Sequence, residues 1–115
     1  MVTSIMNLGR SGVSDWLIQR VSAVILALYT IFIVAFLLFH SDLDYSAWSA
    51  LFAQTWMKIF TLLALLSVAA HAWVGLWIVA TDYIKPANIR IATLTVVILA
   101  LFVFVVWGVQ VLWGA

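Results

Sequence analysis

With 115 residues, 68% of them hydrophobic and 8% charged, and a mean hydropathy of +1.26, the chain has too little polar surface to coat a soluble globule. A net charge of +1 from five scattered basic residues excludes the clustered cations that binding nucleic-acid phosphates needs. With no Cys, the chain by itself can form no disulfide, ligate no iron–sulfur cluster and attach no c-type haem covalently. These bounds predict an all-α integral membrane protein.

The first residues, MVTSIMNLGRSGVSDW, lack the charged start, apolar run and small-residue cleavage site of a signal peptide, and they are not Arg-rich like a transit sequence. They are expected to belong to the working protein. Gly9 and Gly12 flank Arg10 and Ser11, and Ser14-Asp15 offers an N-cap ahead of Trp16. Residues 21–39 then carry no charge over 19 positions, which covers ~28 Å as a helix. A first span is drawn at about 16–39.

Residues 40–57 bring His40, Asp42 and Asp44 together with Tyr45, Trp48 and Trp56, a mixture suited to a headgroup boundary. The part from 45 to 57 reads as an interfacial helix. A second apolar run, 59–81, gives a span drawn at 58–83. It is followed by the only proline, Pro86, which sets the turn at Ile84-Lys85 because a residue before proline leaves the helical region. The third span, 90–113, is uncharged from 91 onward and ends at Trp113, an interfacial anchor. No repeat or soluble domain interrupts the chain, so residues 1–115 read as a single membrane domain of three transmembrane helices.

Arg10, Arg20, Lys85 and Arg90 fall on one side of three spans and Lys58 alone on the other, so the N-terminus is expected to be cytoplasmic and the C-terminus periplasmic. Three helices are few for a self-contained transporter, and no broken or polar helix of the transporter kind is visible.

His71 lies inside the second run, where an ionisable group is costly and hence a functional candidate. Two readings compete: a metal ligand or proton relay, and an imidazole simply hydrogen-bonded to a neighbouring helix. At 100° per residue, Ala64, Ser67, His71, Gly75, Ile78 and Asp82 fall near one line, a mostly small stripe that admits another helix or a flat ligand. An imidazole in a helical bundle suits a haem axial position. His40 lies at the far end of the first span, so a second His ligand has to come from another chain. Zinc needs three or four clustered ligands, and no such cluster exists in the sequence.

At the end of the second span, the Tyr83 phenol can donate a hydrogen bond to a carbonyl such as a quinone's, with Asp82 beside it to orient it or exchange protons with water. Interfacial tyrosines are also common without any such role. Arg20, on the same side, can neutralise a carboxylate such as a haem propionate or bind lipid phosphate.

Leu-Gly-Arg-Ser-Gly-Val at 8–13, Arg20, His71-Ala72-Trp73 with Gly75 and Trp77, and Asp82-Tyr83-Ile84-Lys85-Pro86 together resemble the small hydrophobic membrane anchor subunit of bacterial succinate dehydrogenase, respiratory complex II. The resemblance covers essentially the whole chain, and its most specific part is the block from His-Ala-Trp to Asp-Tyr-x-Lys-Pro. It implies a membrane-anchor domain within a hetero-oligomeric helix bundle of the bacterial inner membrane. A b-type haem is shared there with a second anchor, the cytochrome b subunit, and a flavoprotein and an iron–sulfur subunit dock on the cytoplasmic side. By position it implies His71 as haem axial ligand, Tyr83 at the ubiquinone head group with Asp82 behind it, and Arg20 as a propionate or quinone-pocket neighbour. Some members carry a His where this chain has Ser14, so that residue's role is not carried over. Succinate oxidation itself would belong to the flavoprotein. The alternatives are an anchor of another haem-b quinone oxidoreductase, such as fumarate reductase, and a haem-free scaffold or small transporter.

The charge asymmetry gives a topological expectation. A reporter fused after Ala115 should behave as periplasmic and one inserted near Asn88 as cytoplasmic, and the reverse pattern would overturn the orientation.

Overall fold

The computed structural model describes residues 12–114. Arg10, with its share of the charge asymmetry, and the N-terminal motif residues 8–11 lie outside the described residues. Regular structure within them is helical: α1 (Gly12–Phe39), α2 (Tyr45–Ala53), α3 (Thr55–Tyr83) and α4 (Ala87–Gly114). Helices α1, α3 and α4 are long and apolar enough to cross a membrane, as the three uncharged runs predict. Each runs past its uncharged stretch, because 28 or 29 residues give ~42 Å of helix while the hydrocarbon layer needs only ~30 Å.

Two local expectations are corrected. Ser14 and Asp15 lie within α1 and so do not cap it from outside; Asp15 occupies the first turn, where a carboxylate meets the positive end of the helix dipole. The interfacial helix stops at Ala53, short of Met57, because Gln54 takes an extended conformation (φ −72°, ψ 134°) and turns the chain into α3. Trp56 and Met57 therefore belong to the spanning helix. Asp44 sets the start of α2, its carboxylate accepting the Ala47 N–H at 2.9 Å. At the other end of α3, Ile84 is extended and its N–H reaches the Ala80 carbonyl at 3.0 Å. Pro86 then opens α4, its carbonyl accepting the Arg90 N–H at 3.0 Å.

Helix α3 is the centre of the molecule, packed on α1, α4 and α2. Its partners on α1 fall in number as its own rise: Tyr29 meets Thr61, Ser22 meets His71 and Gln19 meets Gly75. The two helices are thus antiparallel. The Tyr29 and Thr61 hydroxyls are 2.8 Å apart, and the Tyr29 and Phe32 rings pack edge-on against Phe60 at 5.0 and 5.8 Å. Phe32 also meets Trp56, and Phe36 meets Trp48, which ties the far end of α1 to α3 and α2.

No residue of α4 is fully buried, and Val96, Leu99, Phe102 and Trp107 face outward. Gly108 faces α3, and an added Cβ there would stand 2.6 Å from Leu65 Cδ1. A side chain there forces Leu65 to move, so Gly108→Val should destabilise the pair by about 1–3 kcal/mol. Adding Leu65→Ala should recover part of that loss. Denaturation of the single and double variants in detergent tests this, and strictly additive effects would show that the two side chains do not meet.

Candidate functional site

His71 lies near the middle of α3 and is half-buried against α1. Its Nδ1 is 3.0 Å from Ser22 Oγ, and Ser22, only 4% exposed, also donates to the Gln19 carbonyl at 3.2 Å. The neighbouring-helix hydrogen bond expected of an idle imidazole is therefore present, but it occupies one ring nitrogen. Among the described residues Nε2 has no hydrogen-bond partner, and it is not among the buried unpartnered atoms, so it remains accessible at the surface of the helix pair.

The small-residue stripe divides. Ala64 and Ser67 are buried, and His71 and Gly75 meet α1, whereas Ile78 and Asp82 are exposed. Part of the stripe thus serves helix packing. At Gly75 an added Cβ would make ordinary contact with Gln19, 3.6 Å from its Nε2. Gln19 Oε1 is buried with no hydrogen-bond partner. Ser22 and Ser67 also border a shallow groove of about 320 Å³ along the α1–α3 seam.

Tyr83 ends α3 and is 78% exposed. Neither the Tyr83 phenol nor the carboxylate of the exposed Asp82 has a hydrogen-bond partner among the described residues, so adjacency in sequence does not join phenol to carboxylate. Tyr83 stands 12 residues beyond His71, ~18 Å along the axis and ~120° around it. Arg20 is exposed, its guanidinium 5.4 Å from the centre of the Trp16 ring. It precedes Ser22 by two positions, so the two side chains leave α1 about 200° apart and Arg20 points away from His71. His40 lies at the opposite end, stacked on Phe36 with its Nδ1 donating to the Phe36 carbonyl at 3.0 Å. A cleft of about 800 Å³ at that end, bordered by Trp48, Phe52, Lys58 and Trp107, is likewise remote from Tyr83. No group of three or more His, Cys, Asp or Glu that could hold a metal ion occurs among the described residues.

Ser22 and Gln19 were not singled out from the sequence. A signal for them exists: Gln19, Ser22 and Tyr29 recur on one face of α1, and Thr61, Ser67 and His71 are the polar groups inside α3. Set antiparallel, Tyr29 pairs with Thr61 and Ser22 with His71.

Comparison with known proteins agrees with this architecture. A family model described as "Succinate dehydrogenase/Fumarate reductase transmembrane subunit" matches residues 3–108. A succinate dehydrogenase hydrophobic membrane anchor subunit from Coxiella burnetii is 43% identical over 106 residues, 92% of each chain. A protein of the same description from Rickettsia felis is 33% identical over 93 residues, 76% of this chain and 72% of the relative. The three apolar helices, their order and these matches together mean that the chain belongs to the succinate dehydrogenase/fumarate reductase transmembrane subunit family, as a multi-pass hydrophobic membrane anchor subunit of the succinate dehydrogenase kind.

Proposed function

We propose that the chain is one of two anchors of a succinate:quinone oxidoreductase in a bacterial inner membrane, sharing a b-type haem with a second, cytochrome b anchor. Together the anchors hold the iron–sulfur and flavoprotein subunits at the cytoplasmic face and complete a site for ubiquinone reduction. The observation that carries this reading is the divided imidazole of His71, with Nδ1 engaged by Ser22 and Nε2 accessible, in a chain of this family.

The residues present fit one half of a haem site. With His40 at the far end, a haem held by two imidazoles would take its second ligand from the partner anchor. Gln19 has a buried amide oxygen with no partner among the described residues, whereas its Nε2, beside Gly75, is a donor that would suit a carboxylate such as a propionate. When bound, the haem supplies a one-electron redox centre. His71 would hold and orient it, and the apolar side chains beside it would exclude water. Arg20, leaving α1 on the side away from His71, would serve as the neighbour of a haem propionate or of the quinone pocket. Tyr83 donates its hydroxyl proton in a hydrogen bond to a quinone carbonyl, and Asp82, open to water, exchanges protons beside it.

His71→Ala in the assembled complex should remove or perturb one axial ligand, lowering haem content or shifting the reduced-minus-oxidised spectrum and the haem potential. An unchanged spectrum and potential would remove His71 from the ligand set. Tyr83→Phe deletes a hydrogen bond that contributes about 0.5–1.5 kcal/mol, so quinone affinity or turnover should fall several-fold. Succinate oxidation with an artificial acceptor upstream of the membrane should persist. The Tyr83 assignment fails if quinone reductase kinetics and inhibitor affinity stay at wild-type values, or if both activities fall together because assembly is lost.

A further inference from the structure

Ser22 Oγ stands between two polar atoms, 3.2 Å from the Gln19 carbonyl oxygen and 3.0 Å from His71 Nδ1. A hydroxyl has one proton to give and two lone pairs to accept with. The Gln19 carbonyl can only accept, so its contact uses the Ser22 proton. The contact with His71 then requires Nδ1 to be the donor. A neutral imidazole protonated at Nδ1 carries its lone pair on Nε2, the nitrogen that has no partner among the described residues. In the reverse arrangement Ser22 would donate to Nδ1, the Gln19 contact would have no proton, and the ring proton would sit on Nε2 and block ligation.

We propose that Ser22 is a positioning residue for His71, fixing the ring's orientation and its Nδ1–H tautomer so that Nε2 faces a haem iron with its lone pair. The inference rests on the reading of His71 as an axial ligand. The side chain is suited to the task because it is short, belongs to the neighbouring helix and is 4% exposed, which keeps water from replacing it as acceptor. An acceptor on the far nitrogen makes the ligating nitrogen more basic, which favours ferric over ferrous iron. The Ser22 bond therefore lowers the haem potential and tightens haem binding.

Threonine and valine have nearly the same shape and differ by the hydroxyl, so Ser22→Thr and Ser22→Val separate the hydrogen bond from packing. In the purified, assembled complex, Ser22→Thr should keep the wild-type midpoint potential and low-spin ferric electron-paramagnetic-resonance signal. Ser22→Val should raise the potential, shift that signal and release haem on the order of 10-fold more readily. Ser22→Ala, which adds no bulk, should change in the same direction and serves if Ser22→Val does not assemble. Equal behaviour of Ser22→Thr and Ser22→Val, whether both match the wild type or both depart from it, overturns the proposal, as does an unaltered Ser22→Ala. His71→Ala in the same series separates the two failures. If it leaves the haem unchanged, the ligand reading falls; if it perturbs the haem while the Ser22 variants do not, only the role of Ser22 falls.

Discussion

Inside hydrocarbon there is no water to satisfy a hydroxyl, an amide or an imidazole, so each must find a partner within protein. The pairing of α1 with α3 answers that constraint. Ser22 meets His71, and Tyr29 meets Thr61. Ties of this kind are worth about 0.6 kcal/mol on average in membranes, so their weight lies less in stability than in register. With both made, α1 cannot slide or turn against α3 without leaving polar groups unpaired. The corner where α2 meets α3 and the level of Tyr83 are then fixed by chain length alone.

The helix pair satisfies its interior polar groups only in part, and the remainder is informative. His71 has one nitrogen engaged and one open, and Gln19 Oε1 is buried without a partner. Tyr83 and Asp82 lie exposed at the end of α3, and Arg20 is exposed on α1 near the level of Gly75. Helix α4 adds no buried residue and turns large apolar side chains outward. A chain with open polar groups inside its membrane depth and uncovered apolar faces along its length is built to be completed from outside, by lipid on some faces and by the proposed partner anchor on others.

Much of the fold was legible because a membrane span announces itself by what it lacks. The uncharged runs gave three helices, and Pro86 gave the turn after Tyr83. The ends were less legible, since helical hydrogen bonding carries on into the headgroup layer where composition is already mixed; that is why α1 includes Ser14 and Asp15. The break at Gln54 has no glycine or proline to signal it. At the candidate site, His71 stood out by its cost in hydrocarbon, whereas Ser22 looked like one small residue among many. Its meaning depends on the residue facing it across two helices, which no single run of sequence displays. The stripe from Ala64 to Asp82 was legible as a face, but where α1 ceases to cover it was not.

Helix α3 continues unbroken from Thr55 to Tyr83, carrying the imidazole and the phenol on one rigid rod. Their mutual placement is therefore a matter of counting. One residue inserted between His71 and Tyr83 swings the phenol by about 100° and advances it by ~1.5 Å, onto another side of the molecule. Seven would restore its direction to within about 20° but carry it ~10 Å further toward water. Length changes in such a chain are absorbed where the backbone already leaves the helix, at residues 40–44, at Gln54 and at 84–86, so His71 and Tyr83 keep their interval of 12 positions.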